Sequence, residues 1–197
     1  MILDDALKAK IRSSKMVVIG GSAGSFNDMI EWTKVLKGRT VVLVIHRNQQ
    51  HKSNLVNLMQ YFSKLRVKEA EDDEAILSSR LYIAPAGYHL VMLDHRHWKL
   101  EDSEPIWFCK PAIDKLFRSV AEHYGEKVTG ILLSGANQDG AQGLQQIKEK
   151  GGAALCIHPE EAEYRNMPDA TRMLNAVDYY YKRDDIPEIA KLFNSLE

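Results

Sequence analysis

Met16-Val-Val-Ile-Gly-Gly-Ser-Ala-Gly-Ser25 decides the fold class of this 197-residue chain. A β-branched, apolar run breaks into glycines and is followed by an amphipathic stretch over 26–36, so the local order is strand, sharp turn, helix. Ser22 falls at the apex of the turn. Glycines at such a point serve different chemistries. One is a phosphate cradle, in which free N–H groups at a helix N-terminus face an anion. Gly20, Gly21 and Gly24 lack the G-x-G-x-x-G spacing, however, and no G-K-[ST] follows. The other is a nucleophile elbow. Gly20-Gly21-Ser22-Ala23-Gly24 fits G-x-S-x-G, a strained turn that exposes a hydroxyl and aims the next amide at a developing oxyanion. A glycine turn that merely joins a strand to a helix looks the same, so residues elsewhere must decide.

Outward from this turn, 40–45 is an all-apolar run of the kind buried on both faces of a parallel sheet. Further strands are expected at 65–70, 81–84, 128–133, 153–157 and 177–181, and helices at 4–12, 53–62 with Ser53 as cap, 111–125, 141–150, 168–174 and 186–196. Residues 89–93 and 97–100, joined around Asp94-His95-Arg96, read as a hairpin. This alternation predicts an α/β fold: a doubly wound, mainly parallel sheet with an antiparallel edge hairpin and helices on both faces. The length suits a single domain over 1–197, with 1–15 as an N-terminal helical extension.

Formal net charge is -1 with both signs interspersed, which leaves no electrostatic footprint for nucleic acid or an anionic membrane. Cys109 and Cys156 lack C-x-x-C spacing and read as two reduced thiols in a reducing compartment. No apolar run approaches the roughly 20 residues that span a bilayer, and the N-terminus is charged where a signal peptide needs an apolar core. A cytoplasmic protein without membrane insertion is expected. No metal spacing stands out. His95 and His97 could share one face of a strand and bind a metal, but a solvated hairpin tip is the simpler reading. His51, His89, His123 and His158 have no partner identifiable from sequence.

In a doubly wound sheet ligands bind outside the carboxyl ends of the strands, near the point where strand order reverses. Three residues with acyl-transfer chemistry directly follow apolar strands: Ser22, His46 and Asp139, the last in Ser134-Gly-Ala-Asn-Gln-Asp-Gly140. A neutral imidazole can take the proton of a weakly nucleophilic hydroxyl, and a carboxylate can fix the tautomer and stabilise the imidazolium. The order Ser, His, Asp, with the elbow after the first strand, differs from the α/β-hydrolase order of nucleophile, acid, histidine.

These residues resemble those of the chemotaxis protein-glutamate methylesterases (CheB type), from about Met16 to about Tyr181. The blocks carrying the likeness are Val18-Ile-Gly-Gly-Ser-Ala-Gly24, the strand with His46, Val67-Lys-Glu-Ala-Glu-Asp72, Tyr82-Ile-Ala-Pro85, Lys110-Pro-Ala-Ile-Asp114, Leu116-Phe-Arg-Ser-Val-Ala121, Leu133-Ser-Gly135, Asp139-Gly-Ala141 and Met167-Pro168. The resemblance implies a Ser22, His46, Asp139 triad and an oxyanion hole from the backbone amides of Ala23 and Ala136. It implies hydrolysis of glutamate methyl esters on chemoreceptors or related signalling proteins, with glutamine deamidation as a related activity and no cofactor or metal. The family usually carries an N-terminal receiver domain. Only about fifteen residues precede the first strand here, so regulation is expected from a separate receiver or kinase partner. Departures cluster in the loops: Ala23 and Ser25 replace a usual threonine and glycine, Arg47-Asn-Gln-Gln-His-Lys52 replaces a proline-rich loop, and Glu104-Pro-Ile-Trp-Phe-Cys-Lys110 replaces an arginine-containing stretch. Asn137-Gln138 stand where glycine and asparagine are usual, and a glutamate and serine expected before Met167-Pro168 are missing. Such loops choose substrates, which keeps two alternatives open. One is a serine esterase or amidase with another substrate. The other is a silent module docking a signalling partner, with Trp107-Phe108 as its contact.

Overall fold

The computed structural model describes residues 3–47 and 54–194. In chain order they form α1 (Asp5–Ser13), β1 (Met16–Gly21), α2 (Phe26–Val35), β2 (Thr40–Ile45), α3 (Leu55–Phe62), β3 (Arg66–Glu69), β4 (Arg80–Ile83), β5 (His89–Met92), β6 (Trp98–Glu101), α4 (Ile113–Tyr124), β7 (Val128–Leu132), α5 (Ala141–Glu149), β8 (Ala153–Ile157), α6 (Asn166–Met173), β9 (Tyr179–Tyr181) and α7 (Ile186–Asn194). The expected Ser53 cap of α3 lies outside the described residues, as does His51.

Seven strands make one sheet in the order β3-β4-β2-β1-β7-β8-β9, and every pairing in it is parallel. β1 sits in the middle because it is apolar on both faces, and all of it is buried. The chain leaves β1 to one side through β2 and later opens the other side with β7, so the reversal of strand order falls at β1 and β7. No helix among the described residues is long and apolar enough to cross a membrane.

The expected hairpin forms, but β5 and β6 pair only with each other, antiparallel, as a separate two-stranded sheet against α4. Its hydrogen bonds explain why it stays off the main sheet. Residues 72–76 occupy the outer side of β6: Trp98 donates to the Glu74 carbonyl at 2.9 Å, Asp73 donates to the Trp98 carbonyl at 3.0 Å, and Leu100 donates to the Asp72 carboxylate at 2.8 Å. Fully buried Trp98 then packs edge-on against Tyr82 of β4, with ring centroids 5.6 Å apart.

Two helical layers cover the sheet. α4 and α5 pack side by side with α6 beside α5, while α1, α7, α2 and α3 form the other layer. α4 presses on β1 at a residue without a side chain: a Cβ on Gly20 would lie 2.4 Å from the Ile113 Cγ2. Opposite, Trp32 of α2 meets Tyr181 of β9 edge-on at 5.3 Å and Phe193 of α7 at 6.5 Å. Its indole N–H donates to the Tyr181 hydroxyl at 2.9 Å. Nearby, the buried Asp28 carboxylate accepts from Arg183 Nε at 2.6 Å and Nη2 at 3.0 Å. That paired geometry satisfies a charge that burial would otherwise penalise.

Candidate active site

The elbow is tied to the opposite side of the reversal point. Ser22 N donates to the Ser134 carbonyl at 2.9 Å, just beyond β7, and the Ser134 hydroxyl donates to the Ala23 carbonyl at 2.9 Å. Gly24 turns the chain with φ +75, and a Cβ there would sit 2.6 Å from the Glu163 Cβ. Ser25, in place of a family glycine, adopts φ -92, ordinary right-handed backbone, and its hydroxyl donates to the Ser22 carbonyl at 2.7 Å. A glycine's freedom is not needed there. The Ala23 and Ala136 amides donate to no group among the described residues.

Parallel register brings the second expected residue alongside. Gly21 pairs with Ile45, and His46 N donates to the Gly21 carbonyl at 3.3 Å, so Ser22 and His46 leave neighbouring strands together. Asp139 arrives from the loop after β7 and is fully buried. The N-terminus of α4 holds it: Ile113 N donates to Oδ2 at 2.7 Å and Asp114 N to Oδ1 at 2.9 Å. Two backbone donors at the positive end of a helix stabilise an ionised carboxylate.

His46 Nε2 lies 2.7 Å from the Asp139 Oδ2. Because that carboxylate acts as acceptor toward α4, Nε2 carries the proton and donates. Nδ1 faces the Cys109 Sγ at 3.2 Å. Both ring nitrogens are therefore engaged, and the Ser22 hydroxyl makes no hydrogen bond to the ring. Burial disfavours the charged ring, but the Asp139 carboxylate and the Cys109 sulfur outweigh it and push His46 up to about 9. Alongside is a cleft of about 690 Å³ whose wall includes His46, Arg47, Tyr88, Phe108, Cys109 and Lys110. Ser22 is not on that wall. The structure thus joins His46 to Asp139, places Ser22 on the adjoining strand end, and adds Cys109, which the sequence had suggested only as a reduced thiol.

Two further residues support the pair. His89 has partners after all: its Nδ1 accepts from Ala112 N at 3.1 Å and its Nε2 lies 3.0 Å from the Glu104 carbonyl. Burial lowers its pKa, which suits a neutral ring with the proton on Nε2, bracing the start of α4. His95 and His97 hold no metal cluster among the described residues. His95 stacks edge-on with His123 at 5.1 Å, and His97 Nδ1 lies 3.1 Å from the Asp94 carboxylate.

Asp114 accepts from Gly143 N at 2.6 Å and so joins α4 to α5. Burial first, then the Asp139 charge, push it up to about 6 from an ordinary 3.8 against that hydrogen bond. Between those values the folded state binds the proton more tightly than the unfolded state, so stability falls as pH rises, by up to about 3 kcal/mol in total. Asp114→Asn removes this titration. Urea unfolding at pH 4 and pH 7 is expected to show the variant gaining on the wild type by up to about 3 kcal/mol between the two.

An elbow serine and an imidazole–carboxylate pair at the carboxyl ends of a parallel sheet are groups of the kind that acyl-transfer hydrolysis uses. Residues 17–190 match the family described as CheB methylesterase, and the chain belongs to that family. A Leptospira interrogans protein provisionally named a protein-glutamate methylesterase/protein-glutamine glutaminase is 36% identical over 176 residues, 88% of this chain and 91% of the relative. A protein-glutamate methylesterase/protein-glutamine glutaminase 2 of Anaeromyxobacter dehalogenans is 33% identical over 189 residues, 93% of this chain and 54% of its own length. The chain therefore spans about half of that longer relative. The Thermotoga maritima CheB methylesterase catalytic domain matches in structure with a TM-score of 0.83 and 29% identity, covering 91% of this chain and 98% of that domain. The chain is thus an enzyme of the methylesterase class, a carboxylic ester hydrolase.

Proposed function

We propose that this chain, as a single methylesterase domain, removes methyl esters from glutamate side chains of a chemoreceptor-like signalling protein in the cytoplasm. Ser22 attacks the ester carbonyl as His46 Nδ1 takes its proton, and the charge developing on oxygen is met by the Ala23 and Ala136 amides. The imidazolium, steadied by Asp139, returns the proton to the departing methoxide. Water then opens the acyl-enzyme by the same roles, releasing the glutamate carboxylate. The observation that carries this reading is the 2.7 Å His46–Asp139 contact beside the elbow. It leaves Nδ1 as the ring's base, so the ring must exchange Cys109 for Ser22 when substrate enters. Deamidation of receptor glutamines uses the same steps with ammonia leaving. A separate receiver or kinase partner supplies regulation.

The substrate is tested by incubating the protein, with and without a candidate activating receiver, with a methylated receptor cytoplasmic fragment carrying labelled methyl groups. Methanol release is expected. Hydrolysis of small esters without release from the fragment moves the reading to an esterase or amidase with another substrate. No turnover on either leaves a silent docking module.

A further inference from the structure

The mechanism above makes no use of Cys109, although its sulfur occupies the imidazole nitrogen that the serine needs. We propose that Cys109 is a second nucleophile, served by the same His46 and Asp139, that accepts acyl groups from esters entering the cleft as a thioester. The inference deepens the reading above by sharing its base, its carboxylate and its ester chemistry, while Ser22 has no part in it.

Three features aim this thiol. Sulfur, imidazole and carboxylate stand in one hydrogen-bonded line, 3.2 Å and 2.7 Å, the order of nucleophile, base and orienting acid. Cys109 and His46 both lie on the wall of the cleft, so a ligand in the cleft sits beside the pair. The turn that delivers it is strained. Ile106 and Cys109 exchange both backbone hydrogen bonds, at 3.1 Å and 2.8 Å, across Trp107 and Phe108, whose φ values are +51 and +60. Two-residue turns of this kind normally take Asn-Gly, because side chains disfavour left-handed backbone. Such strain persists where the surroundings over-determine it, and here Asn137 Nδ2 clamps the turn, 3.4 Å from the Trp107 carbonyl and 3.5 Å from the Cys109 sulfur. The cations on that wall have partners of their own, Arg47 with Glu69 and Lys110 with Asp102, so His46 is the base that faces the sulfur.

The step balances. His46 Nδ1 takes the thiol proton, and the sulfur's electron pair forms a C–S bond with the ester carbonyl carbon. The C–O bond then breaks with its electrons on the alkoxide, which takes the proton from Nδ1 and leaves as the alcohol. Water next gives a proton to Nδ1 and its oxygen bonds the carbonyl carbon. The C–S bond breaks, and the sulfur recovers its proton from Nδ1, which restores the thiol and the neutral imidazole.

The test uses p-nitrophenyl acetate on the full chain, with peptide mapping by mass spectrometry after an acid quench. In Ser22→Ala, an acetyl group removable by neutral hydroxylamine is expected on Cys109, formed at least tenfold faster than in Ser22→Ala/His46→Gln. Cys156, fully buried with its thiol pushed up to about 12, should stay unlabelled and serves as an internal control. Absence of acetyl-Cys109, or an equal rate without His46, overturns the proposal. Wild-type protein gives a second reading free of folding concerns: iodoacetamide at pH 7 should alkylate Cys109 faster than it alkylates an unstructured cysteine peptide, and an equal or slower rate contradicts the proposal. Methanol release from methylated receptor is read separately, so failure of that reaction leaves this result interpretable.

Discussion

Replacing His46 with glutamine is expected to lower kcat for methyl-ester hydrolysis by roughly 1,000- to 10,000-fold, because the proposed mechanism makes the imidazole the shared base for every proton moved in the reaction. Glutamine is similar in size and fills much of the ring's space, so the loss should appear with little change in folding. The pH dependence adds a second signature. Reaction needs the neutral ring, and Asp139 with Cys109 pushes His46 up to about 9. Below that value the free enzyme is mainly imidazolium, so wild-type kcat/KM should climb about tenfold per pH unit from 7 toward 9 and then level off. His46→Gln should remove that climb. Initial rates of methanol release between pH 6 and pH 10 for both proteins read both effects. A variant that keeps the wild-type slope would assign the base elsewhere.

Trp32→Ala is expected to cost about 3–5 kcal/mol of stability. The indole is fully buried and touches Tyr181 and Phe193, so its removal leaves a cavity where α2, β9 and α7 meet. It also takes the donor from the Tyr181 hydroxyl, whose buried oxygen then loses its hydrogen bond. Trp32→Phe should recover most of the packing and leave a smaller deficit from the missing N–H. Urea unfolding of the two variants separates these parts, and a loss below about 1 kcal/mol for alanine would mean that the three elements do not depend on this contact. Because α2 begins just after the elbow, the alanine variant should also lose activity steeply on warming.

Much of the fold was legible because burial on both faces leaves a plain mark. Val41 to Val44 is an unbroken apolar run and Val128 to Leu132 is interrupted only by Thr129 and Gly130, and both stretches lie in strands of the main sheet. The hairpin was legible as a hairpin but not in its placement, because what keeps β6 off the sheet is a set of bonds from Asp72, Asp73 and Glu74, an acidic turn that reads most simply as solvated. Ser22, His46 and Asp139 stood out as candidates because each follows an apolar strand. Cys109 did not, since it lies in a loop without periodicity and its direction depends on left-handed backbone at Trp107 and Phe108, which residue preference argues against. His89 was hidden for a related reason: its partners, Glu104 and Ala112, reach it through the fold of that same loop and the start of α4.

The proposed mechanism opens an ester on a signalling protein with the elbow serine. Its most direct test is methanol release from a methyl-labelled receptor cytoplasmic fragment by wild type and by Ser22→Ala, compared at matched folding. Release by the wild type that falls at least about 100-fold in the variant is the predicted result. Equal release by both proteins, or none by the wild type with a candidate activating receiver present, would contradict it.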